Sequence, residues 1–442
     1  MSERTKNPLS ISAHLDPLCS AIFVLLPERI LSFCEEVFSP IRPYADTVVL
    51  FGCGFAALFS LAAIFLYIPP LRMQWLIIIG SVAWIGLLIV PWRPWSTRER
   101  LEATELASAI GDLAEISVLI PARNEEERIE RTLCALRDQG LNIKIFLIDD
   151  QSTDQTREKA QAVELKNLTI VDGRELPNSW TGKLWALEQG RKLVTSRFLL
   201  LLDADIELAP GIVFALHQKL VTESLDLVSI MATLRTDQFW EKWLAPAFVF
   251  FFKLVYPFAR GNNPQSRLGV AAGGCILLRT EMLMAIGGFE ASRGAVIDDC
   301  TLAQKVKEAG GRTWIGLSRS VKSHRPYPKL SSFWGMVART AYTQLRYSVL
   351  MLLATTCLML IAFWGPFLAI TTTSSMLKVL ALAGWSCMIA AYLPTIRFYR
   401  LSPLWTMTLP IIATLYLLMT WSSAMEYWKG RRTNWKGRVY AR

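Results

Sequence analysis

The sequence has 442 residues, of which 52% are hydrophobic and 19% are charged, and its formal net charge is +10. This length accommodates a catalytic domain of about 250 residues together with membrane segments, and the mean hydropathy of +0.32 is high for a soluble protein. The excess of Lys and Arg therefore indicates anionic lipid or phosphorylated substrates, and no recognition-module spacing supports nucleic-acid binding. Protein partners cannot be inferred from the composition.

The cysteines and histidines exclude two common kinds of site. The eight cysteines are scattered and form no C-x-x-C pair, which predicts reduced thiols and a cytosol-facing domain. The three histidines, His14, His217 and His324, are far apart in the sequence, so a histidine-based zinc site is not expected.

The N-terminal part predicts membrane attachment. Residues 1–45 mix apolar and charged positions and are expected to lie on a membrane surface, with no secretory signal. Within residues 46–92, two apolar runs at 47–68 and 75–90 predict a transmembrane hairpin. Buried helices of a soluble protein are the alternative, which two successive runs disfavour.

Residues 93–347 predict an α/β domain. Short apolar runs at 116–120, 143–148, 168–171, 198–202 and 227–232 are expected to be strands, and they alternate with helical stretches at 125–139, 152–163, 183–194 and 210–221. This alternation predicts a mostly parallel sheet. We also expect Asn124 to cap the first of these helices.

The centre of this domain is the stretch FLLLLDAD, residues 198–205. Its five apolar residues are typical of a strand buried on both faces. Asp203 and Asp205 follow two residues apart, which on an extended chain places both side chains on one side. They are expected at the carboxyl end of a central strand, where open α/β sheets bind ligands. Two solvated acids at a strand end are the alternative, while a shared Mg²⁺ or Mn²⁺ would relieve their repulsion.

Three further features fall at strand ends or helix starts. Asp149 and Asp150 close the second strand. Lys183 follows Gly182 at the start of a helix, an arrangement suited to a diphosphate, although this is not a Walker A loop. Asp298 and Asp299 precede a helix expected at 301–309, where a carboxylate could also be a plain N-cap.

Aromatic and apolar segments complete the chain. Residues 239–258 predict an amphipathic helix in the membrane interface, with a core helix as the alternative. Within residues 348–425, apolar runs at 349–370, 376–393 and 404–421 are long enough to span. If all three span, the basic tail, residues 426–442, would lie outside, against the positive-inside rule. We therefore expect one run to be re-entrant or interfacial, and Pro410 singles out 404–421.

Taken together, residues 116–347 resemble the family 2 glycosyltransferases, inverting nucleotide-sugar enzymes of the GT-A fold. The resemblance rests on motifs in the family's order: SVLIPARNEE, FLIDDQSTD, GKLWALEQG, LLLLDADIE, AAGGCILLRTEMLMAIGGFE and VIDDCTLAQKV. It implies a GT-A catalytic domain flanked by transmembrane helices.

The resemblance also implies roles for individual residues. Those implied to bind the nucleobase and ribose of the donor are Pro121, Ala122, Arg123, Glu125, Asp149 and Asp150. Lys183 matches the lysine near the donor diphosphate, and Asp203 and Asp205 match the D-x-D that binds the donor and its metal. Asp299 matches the catalytic base, with Asp298 replacing the usual Glu beside it.

The end of the domain departs from the family pattern. The nearest match to the Q/R-x-x-R-W signature of membrane members is Gln344-Leu345-Arg346-Tyr347, shifted by one position and ending in Tyr. The chain resembles the ceramide-glucosyltransferase-like branch, and more closely the hopene-associated bacterial glycosyltransferases. Arg339 and Arg346 could orient a polar head group of the acceptor, or be ordinary juxtamembrane charge.

The sequence thus predicts a multi-pass protein of a bacterial inner membrane with a cytoplasmic catalytic domain. It would transfer a sugar from a nucleotide-diphosphate sugar, for which we expect a UDP-sugar, to a lipid hydroxyl in a metal-dependent reaction. A processive polysaccharide synthase and a non-catalytic membrane scaffold that binds nucleotide sugars or lipid are the alternatives.

Overall fold

A computed structural model of the chain describes residues 70–103, 112–430, 434–435 and 438–439. The chain divides into two compact units, Met1–Leu76 and Ile77–Arg442. The elements discussed below belong to the second, except that the helix Pro70–Ile89 begins in the first. The N-terminal surface segment, the first expected membrane run at 47–68 and residues 431–433, 436–437 and 440–442 of the basic tail lie outside the described residues.

The described elements alternate between strands and helices and then become helical only. In chain order they are α1 Pro70–Ile89, β1 Ile116–Ala122, α2 Ile129–Arg137, β2 Lys144–Asp149, α3 Thr156–Ala162, β3 Leu168–Asp172, α4 Gly182–Arg191, β4 Phe198–Leu202, β5 Ile206–Leu208, α5 Ile212–Thr222, β6 Leu227–Thr233, α6 Phe239–Val255, α7 Phe258–Asn262, β7 Cys275–Arg279, α8 Thr280–Ala285, α9 Asp298–Glu308, β8 Thr313–Ser323, α10 Leu330–Ala338, α11 Ala341–Gln344, α12 Val349–Trp364, α13 Ser375–Phe398, α14 Leu409–Trp428, β9 Asn434–Trp435 and β10 Arg438–Val439. Short 3₁₀ helices cover Glu290–Ser292, Gly365–Thr371 and Pro403–Thr408.

Eight of these strands form one mixed sheet in the order β3-β2-β1-β4-β7-β6-β8-β5. The pairs β3-β2, β2-β1, β1-β4 and β6-β8 are parallel, whereas β7 and β5 run antiparallel to their neighbours. Every residue of β1 and β4 is buried, because helices cover both faces of the sheet. The predicted α/β fold class is confirmed.

The first helix after β1 begins later than predicted. Asn124 has a φ of 51° and does not cap a helix, since α2 starts at Ile129. Its Oδ1 instead accepts a hydrogen bond from the N–H of Thr153 (2.8 Å). The loops after β1 and β2 are therefore tied to each other. A capping residue satisfies whichever N–H groups lie nearest, and here these belong to the neighbouring loop.

Three C-terminal segments are long and apolar enough to cross a membrane: Val349–Thr371, Ser375–Phe398 and Pro403–Trp428. Pro410, the reason for suspecting the last one, lies in the first turn of α14. There its missing N–H leaves no helical hydrogen bond unmade, so it does not interrupt the helix. The second expected hairpin run corresponds to α1, whose Met73–Ile89 part is a shorter apolar helix.

The aromatic helix α6 packs against these C-terminal helices. Leu244 and Phe250 are fully buried in a cluster with Tyr392 of α13 and Ile412 of α14. Its other buried face contacts the sheet domain, where Val249 packs in a cluster with Ile315 of β8. The helix therefore joins the sheet domain to the helical segment, and its location in a membrane interface stays a prediction.

Candidate active site

The parallel strands β1, β2 and β4 end at one edge of the sheet, and the predicted site residues follow these ends. Asp203 comes directly after β4. Because β7 is antiparallel to β4, the glycines that precede β7 reach the same edge, and the N–H of Asp203 donates to the carbonyl of Gly274 (3.0 Å). The fold thus places residues from distant parts of the chain at one carboxyl-end crevice.

A cavity at this edge brings Lys183 together with three acids. Lys183 Nζ lies 2.8 Å from Asp203 Oδ1 and 3.6 Å from Asp298 Oδ2. The cavity is lined by Pro121, Lys183, Leu184, Leu187, Leu201, Leu202, Asp203, Gly273, Ile276, Phe289, Ser292, Asp298, Asp299 and Leu302. Four residues that were singled out in the sequence for charge chemistry therefore share one space.

Asp298 and Asp299 are the first two residues of α9 rather than residues before it. Asp299 Oδ1 accepts a hydrogen bond from the N–H of Cys300 (2.7 Å), and the helix N-terminus favours negative charge there. Desolvation by burial and the adjacent charge of Asp298 nevertheless raise the pKa of Asp299 to about 7. A carboxylate with this pKa can exchange a proton near neutral pH.

Lys183 and Asp203 each counteract the effect of burial on the other's pKa. Burial alone would lower the pKa of Lys183, but Asp203 and Asp298 outweigh it and raise that pKa above its ordinary value. Burial raises the pKa of Asp203, against the attraction of Lys183. Lys183 therefore stays a cation inside the cavity, where it can bind an anionic group.

Asp205 makes different contacts from Asp203. Its Oδ2 accepts from Ser323 Oγ (2.7 Å), and its Oδ1 lies 3.4 Å from a guanidinium nitrogen of Arg325. Burial would raise the pKa of Asp205, but Arg325 and Ser323 outweigh it and lower that pKa below its ordinary value. The two acids differ because β4 ends at Leu202, so the alternation of an extended strand does not govern residues 203–205.

The residues expected to bind the nucleotide lie around the ends of β1 and β2. Arg123 donates to the carbonyl oxygens of Asp150 (2.5 Å) and Gln151 (3.0 Å). Glu125 is buried and accepts from Arg325 (2.6 Å), so it is linked through that guanidinium to Asp205. Asp149 Oδ1 accepts from the N–H of Ser152 (3.0 Å). Asp150 is fully buried. Pro121 and Ala122 form the buried end of β1.

The residues expected at the acceptor side are more dispersed. Arg339 and Arg346 are exposed and are not among the residues that line the cavity. Gln344 accepts a hydrogen bond from Tyr256 Oη (2.6 Å). Burial raises the pKa of Tyr256, and the negative groups that add to this shift include Asp299. The degenerate signature at the end of the domain is thus connected to the neighbourhood of Asp299 through Tyr256.

The carboxylate oxygens of the site are chemically suited to bind a divalent metal. Carboxylate oxygens are the ligands that Mg²⁺ and Mn²⁺ prefer, and Asp203, with Asp205 two residues on, supplies them. Among the described residues, no group of three or more His, Cys, Asp or Glu side chains is arranged to hold a metal ion. Instead Lys183 and Arg325 neutralise Asp203 and Asp205.

Several residues of this region were not identified from the sequence. Ser323 is the last residue of β8, a strand that the sequence did not reveal, and Arg325 lies two residues beyond it. Gly273 lies so close to the charged groups that a Cβ there would be 3.2 Å from Lys183 Nζ and 3.4 Å from Asp299 Oδ2. The GG pair before an apolar run was the available signal for this close approach.

Comparison with known proteins shows which family the α/β domain resembles. The model of the family described as "Glycosyl transferase family 2" matches residues 117–287, so the α/β domain contains a family 2 glycosyltransferase domain. Among solved structures, the mannosyltransferase PcManGT from Pyrobaculum calidifontis, in complex with GDP-Man and Mn²⁺, has a TM-score of 0.50 with this chain. The two are 18% identical, and the match covers 80% of this chain and 99% of that one, which shows a shared fold.

The curated relatives are more specific but match a shorter stretch. A 4,4'-diaponeurosporenoate glycosyltransferase from Staphylococcus haemolyticus (strain JCSC1435) is 38% identical over 93 residues. The enzyme of the same name from Staphylococcus aureus (strain USA300) is 31% identical over 91 residues. Each match covers 21% of this chain and 24% of the relative, so the chain matches about a quarter of the length of these proteins.

Proposed function

We propose that the chain is an inverting glycosyltransferase that moves a sugar from a nucleotide-diphosphate sugar to a membrane lipid. The observation that carries the proposal is the cavity at the carboxyl ends of β1 and β4. It combines one cation, Lys183, with the acids Asp203, Asp298 and Asp299. A site that must neutralise a departing diphosphate and also remove a proton from an acceptor needs these two kinds of group.

Asp299 is the proposed base. An acceptor hydroxyl becomes a strong nucleophile when its proton moves to Asp299, whose raised pKa of about 7 suits this transfer. The hydroxyl oxygen then forms the new bond at the anomeric carbon as the bond to the diphosphate oxygen breaks on the opposite face. Asp298 keeps the pKa of Asp299 high through its own negative charge.

Lys183 is the proposed cation for the leaving group. It is held at the start of α4 and is already oriented by Asp203 at 2.8 Å. Its positive charge stabilises the negative charge that builds up on the departing diphosphate. A Mg²⁺ or Mn²⁺ ion held by Asp203 and Asp205 would add charge neutralisation at the same diphosphate. The loop residues Pro121, Ala122, Arg123, Glu125, Asp149 and Asp150 would bind the nucleoside.

The proposed acceptor is a lipid. Three apolar helices of spanning length follow the domain, and α6 packs between these helices and the sheet. The sequence resemblance favours a hopanoid lipid, whereas the names of the staphylococcal relatives favour a carotenoid acid. Arg339 and Arg346 would lie at the head-group side. We place the protein in a bacterial inner membrane with its catalytic domain in the cytoplasm, where its described cysteines would stay free thiols.

The function is tested with the full chain purified in nanodiscs. UDP-glucose and GDP-mannose are offered with Mn²⁺, Mg²⁺ or EDTA, and glycosylated lipid is detected by mass spectrometry in extracts containing hopanoids or carotenoid acids. We expect a single-sugar product that depends on divalent metal and is lost in Asp299→Asn while nucleotide binding is kept. A polymer ladder would instead identify a processive synthase. If neither a product nor donor hydrolysis is detected, the chain is a non-catalytic binding protein.

A further inference from the structure

The cavity contains a polar group that the proposed mechanism does not use. Ser292 lines the cavity and is only 8% exposed. Its Oγ is buried and has no hydrogen-bond partner in the described part of the chain. Burying a hydroxyl without a partner costs on the order of 1–3 kcal/mol, and a ligand that entered the cavity could supply the partner.

The position of Ser292 is fixed from two sides. The preceding turn has positive φ at Gly287 (87°) and Gly288 (65°), a conformation that glycine adopts without strain. The next residue, Phe289, is 1% exposed and packs in a core cluster with Leu184 and Leu187 of α4. Immediately after Ser292, the carbonyl of Arg293 accepts from the N–H of Thr181 (2.8 Å).

These contacts tie the segment 289–293 to the helix that carries Lys183. The same segment leads into Asp298 and Asp299 at the start of α9. Ser292 therefore lies between the two elements that supply the cation and the proposed base, and its position does not depend on a mobile surface loop. A group held in this way is preorganised for a ligand.

The other walls of the cavity indicate which part of a donor faces Ser292. Beside Lys183, which is proposed to bind the diphosphate, the three carboxylates can accept hydrogen bonds from hydroxyl groups. Leu184, Leu187 and Leu302 supply apolar carbon on which the C–H face of a sugar ring can pack. Ser292 Oγ can both donate to and accept from a hydroxyl. Carboxylates, apolar carbon and one hydroxyl together suit a polyhydroxylated ring.

We propose that Ser292 binds a hydroxyl of the donor's sugar ring and thereby helps to determine which sugar is transferred. This role rests on the proposed transferase function and adds to it a specificity-determining residue. Binding would give the Ser292 hydroxyl a hydrogen-bond partner, which it does not have among the described residues. Sugars without a hydroxyl at the corresponding carbon would bind more weakly.

The test compares Ser292→Ala with wild type by calorimetry in nanodiscs, using UDP-glucose against UDP and GDP-mannose against GDP. For the nucleotide sugar that wild type binds, we expect Ser292→Ala to weaken affinity by about fivefold, the loss of one neutral hydrogen bond. Affinity for the matching nucleoside diphosphate should stay within about twofold. Monodeoxy versions of that sugar should reveal one position at which the deoxy donor loses affinity for wild type but not for the variant.

Two controls separate this role from a structural one. Removing an unpartnered buried hydroxyl should leave the thermal midpoint of Ser292→Ala unchanged or raised, whereas a structural role predicts a lower midpoint. Thr280→Val removes another buried hydroxyl oxygen that has no partner among the described residues. Thr280 is outside the cavity lining, so this variant should leave all affinities unchanged.

The outcomes distinguish the two proposals. Equal losses for the nucleotide sugar and the bare nucleotide, or no loss at all, would overturn the role of Ser292 and leave the transferase function standing. Failure of wild type to bind either nucleotide sugar would overturn the proposed function and the Ser292 role together.

Discussion

The pH dependence of sugar transfer is the sharpest test of the proposed base. A base must be deprotonated to act, and the pKa of Asp299 is raised to about 7 by burial and by Asp298. The active form therefore predominates above that pH and is lost as the pH falls through it. With this pKa the ionised fraction rises from about 9% at about pH 6 to about 91% at about pH 8, so single-turnover transfer should increase about tenfold.

The same reasoning predicts how a neighbouring substitution moves the profile. Asp298→Asn removes a negative charge next to Asp299, so the pKa of Asp299 should fall and the acid limb should shift to lower pH. The ratio of rates between the two pH values then becomes smaller than in wild type. Glu281→Gln removes an exposed acid of α8 and serves as the charge-matched control, which should keep the wild-type profile.

The assay is rapid-mix single turnover with saturating donor, so that donor binding and product release do not enter the rate. Asp299→Asn should abolish transfer at every pH while nucleotide binding is retained. A wild-type profile that is flat between these pH values would refute the argument. An unshifted profile in Asp298→Asn would show that Asp298 does not set the pKa of the base.

Four other substitutions test the arrangement. Lys183→Gln should weaken nucleoside diphosphate binding by at least about tenfold, the scale of one charge-assisted hydrogen bond, and unchanged calorimetric affinity would remove Lys183 from the diphosphate. Gly273→Ala places a Cβ 3.2 Å from Lys183 Nζ, so turnover should fall while the thermal midpoint stays near wild type. Normal turnover would show that the cavity accommodates the added methyl group. Asp205→Ala should abolish the gain in donor affinity that Mn²⁺ gives, and the same Mn²⁺ response as wild type would contradict its role as a metal ligand. Leu200→Ala empties a fully buried site in β4 and should lower the free energy of unfolding by about 2–5 kcal/mol; a thermal midpoint equal to wild type would show that this strand is not central to stability.

The sequence was sufficient for the strands that lead to the site. Runs such as FLLLLDAD combine a buried strand with polar residues at its end, and both properties follow from local pattern. The antiparallel strand β7 and the long strand β8 were not predicted. Polar and charged residues interrupt β8, TWIGLSRSVKS, so it has no continuous apolar run to reveal it. Arg325, which pairs with both Asp205 and Glu125, lies just beyond this strand and carried no recognisable signal.

Helix starts were predicted less well than strands. Asn124 has the side chain of a good cap, but its oxygen accepts a hydrogen bond from the N–H of Thr153 in the loop after β2. Only the folded arrangement brings that N–H within reach. Asp298 and Asp299 were expected to precede a helix and instead begin it. The burial of the Ser292 hydroxyl could not be anticipated, since a serine in a short 3₁₀ helix is usually solvated and only tertiary packing buries it.

The ion pair between Lys183 and Asp203 has a consequence for the order of events in a catalytic cycle. Lys183 already has a partner at 2.8 Å, so a diphosphate that binds it as we propose would have to share or displace that partner. After sugar transfer, the carboxylate of Asp203 would compete with the nucleotide product for the same ammonium group. An internal competitor of this kind would lower the affinity for the nucleotide product and shorten its residence time. The ion pair would therefore influence the rate of product release before the next donor binds.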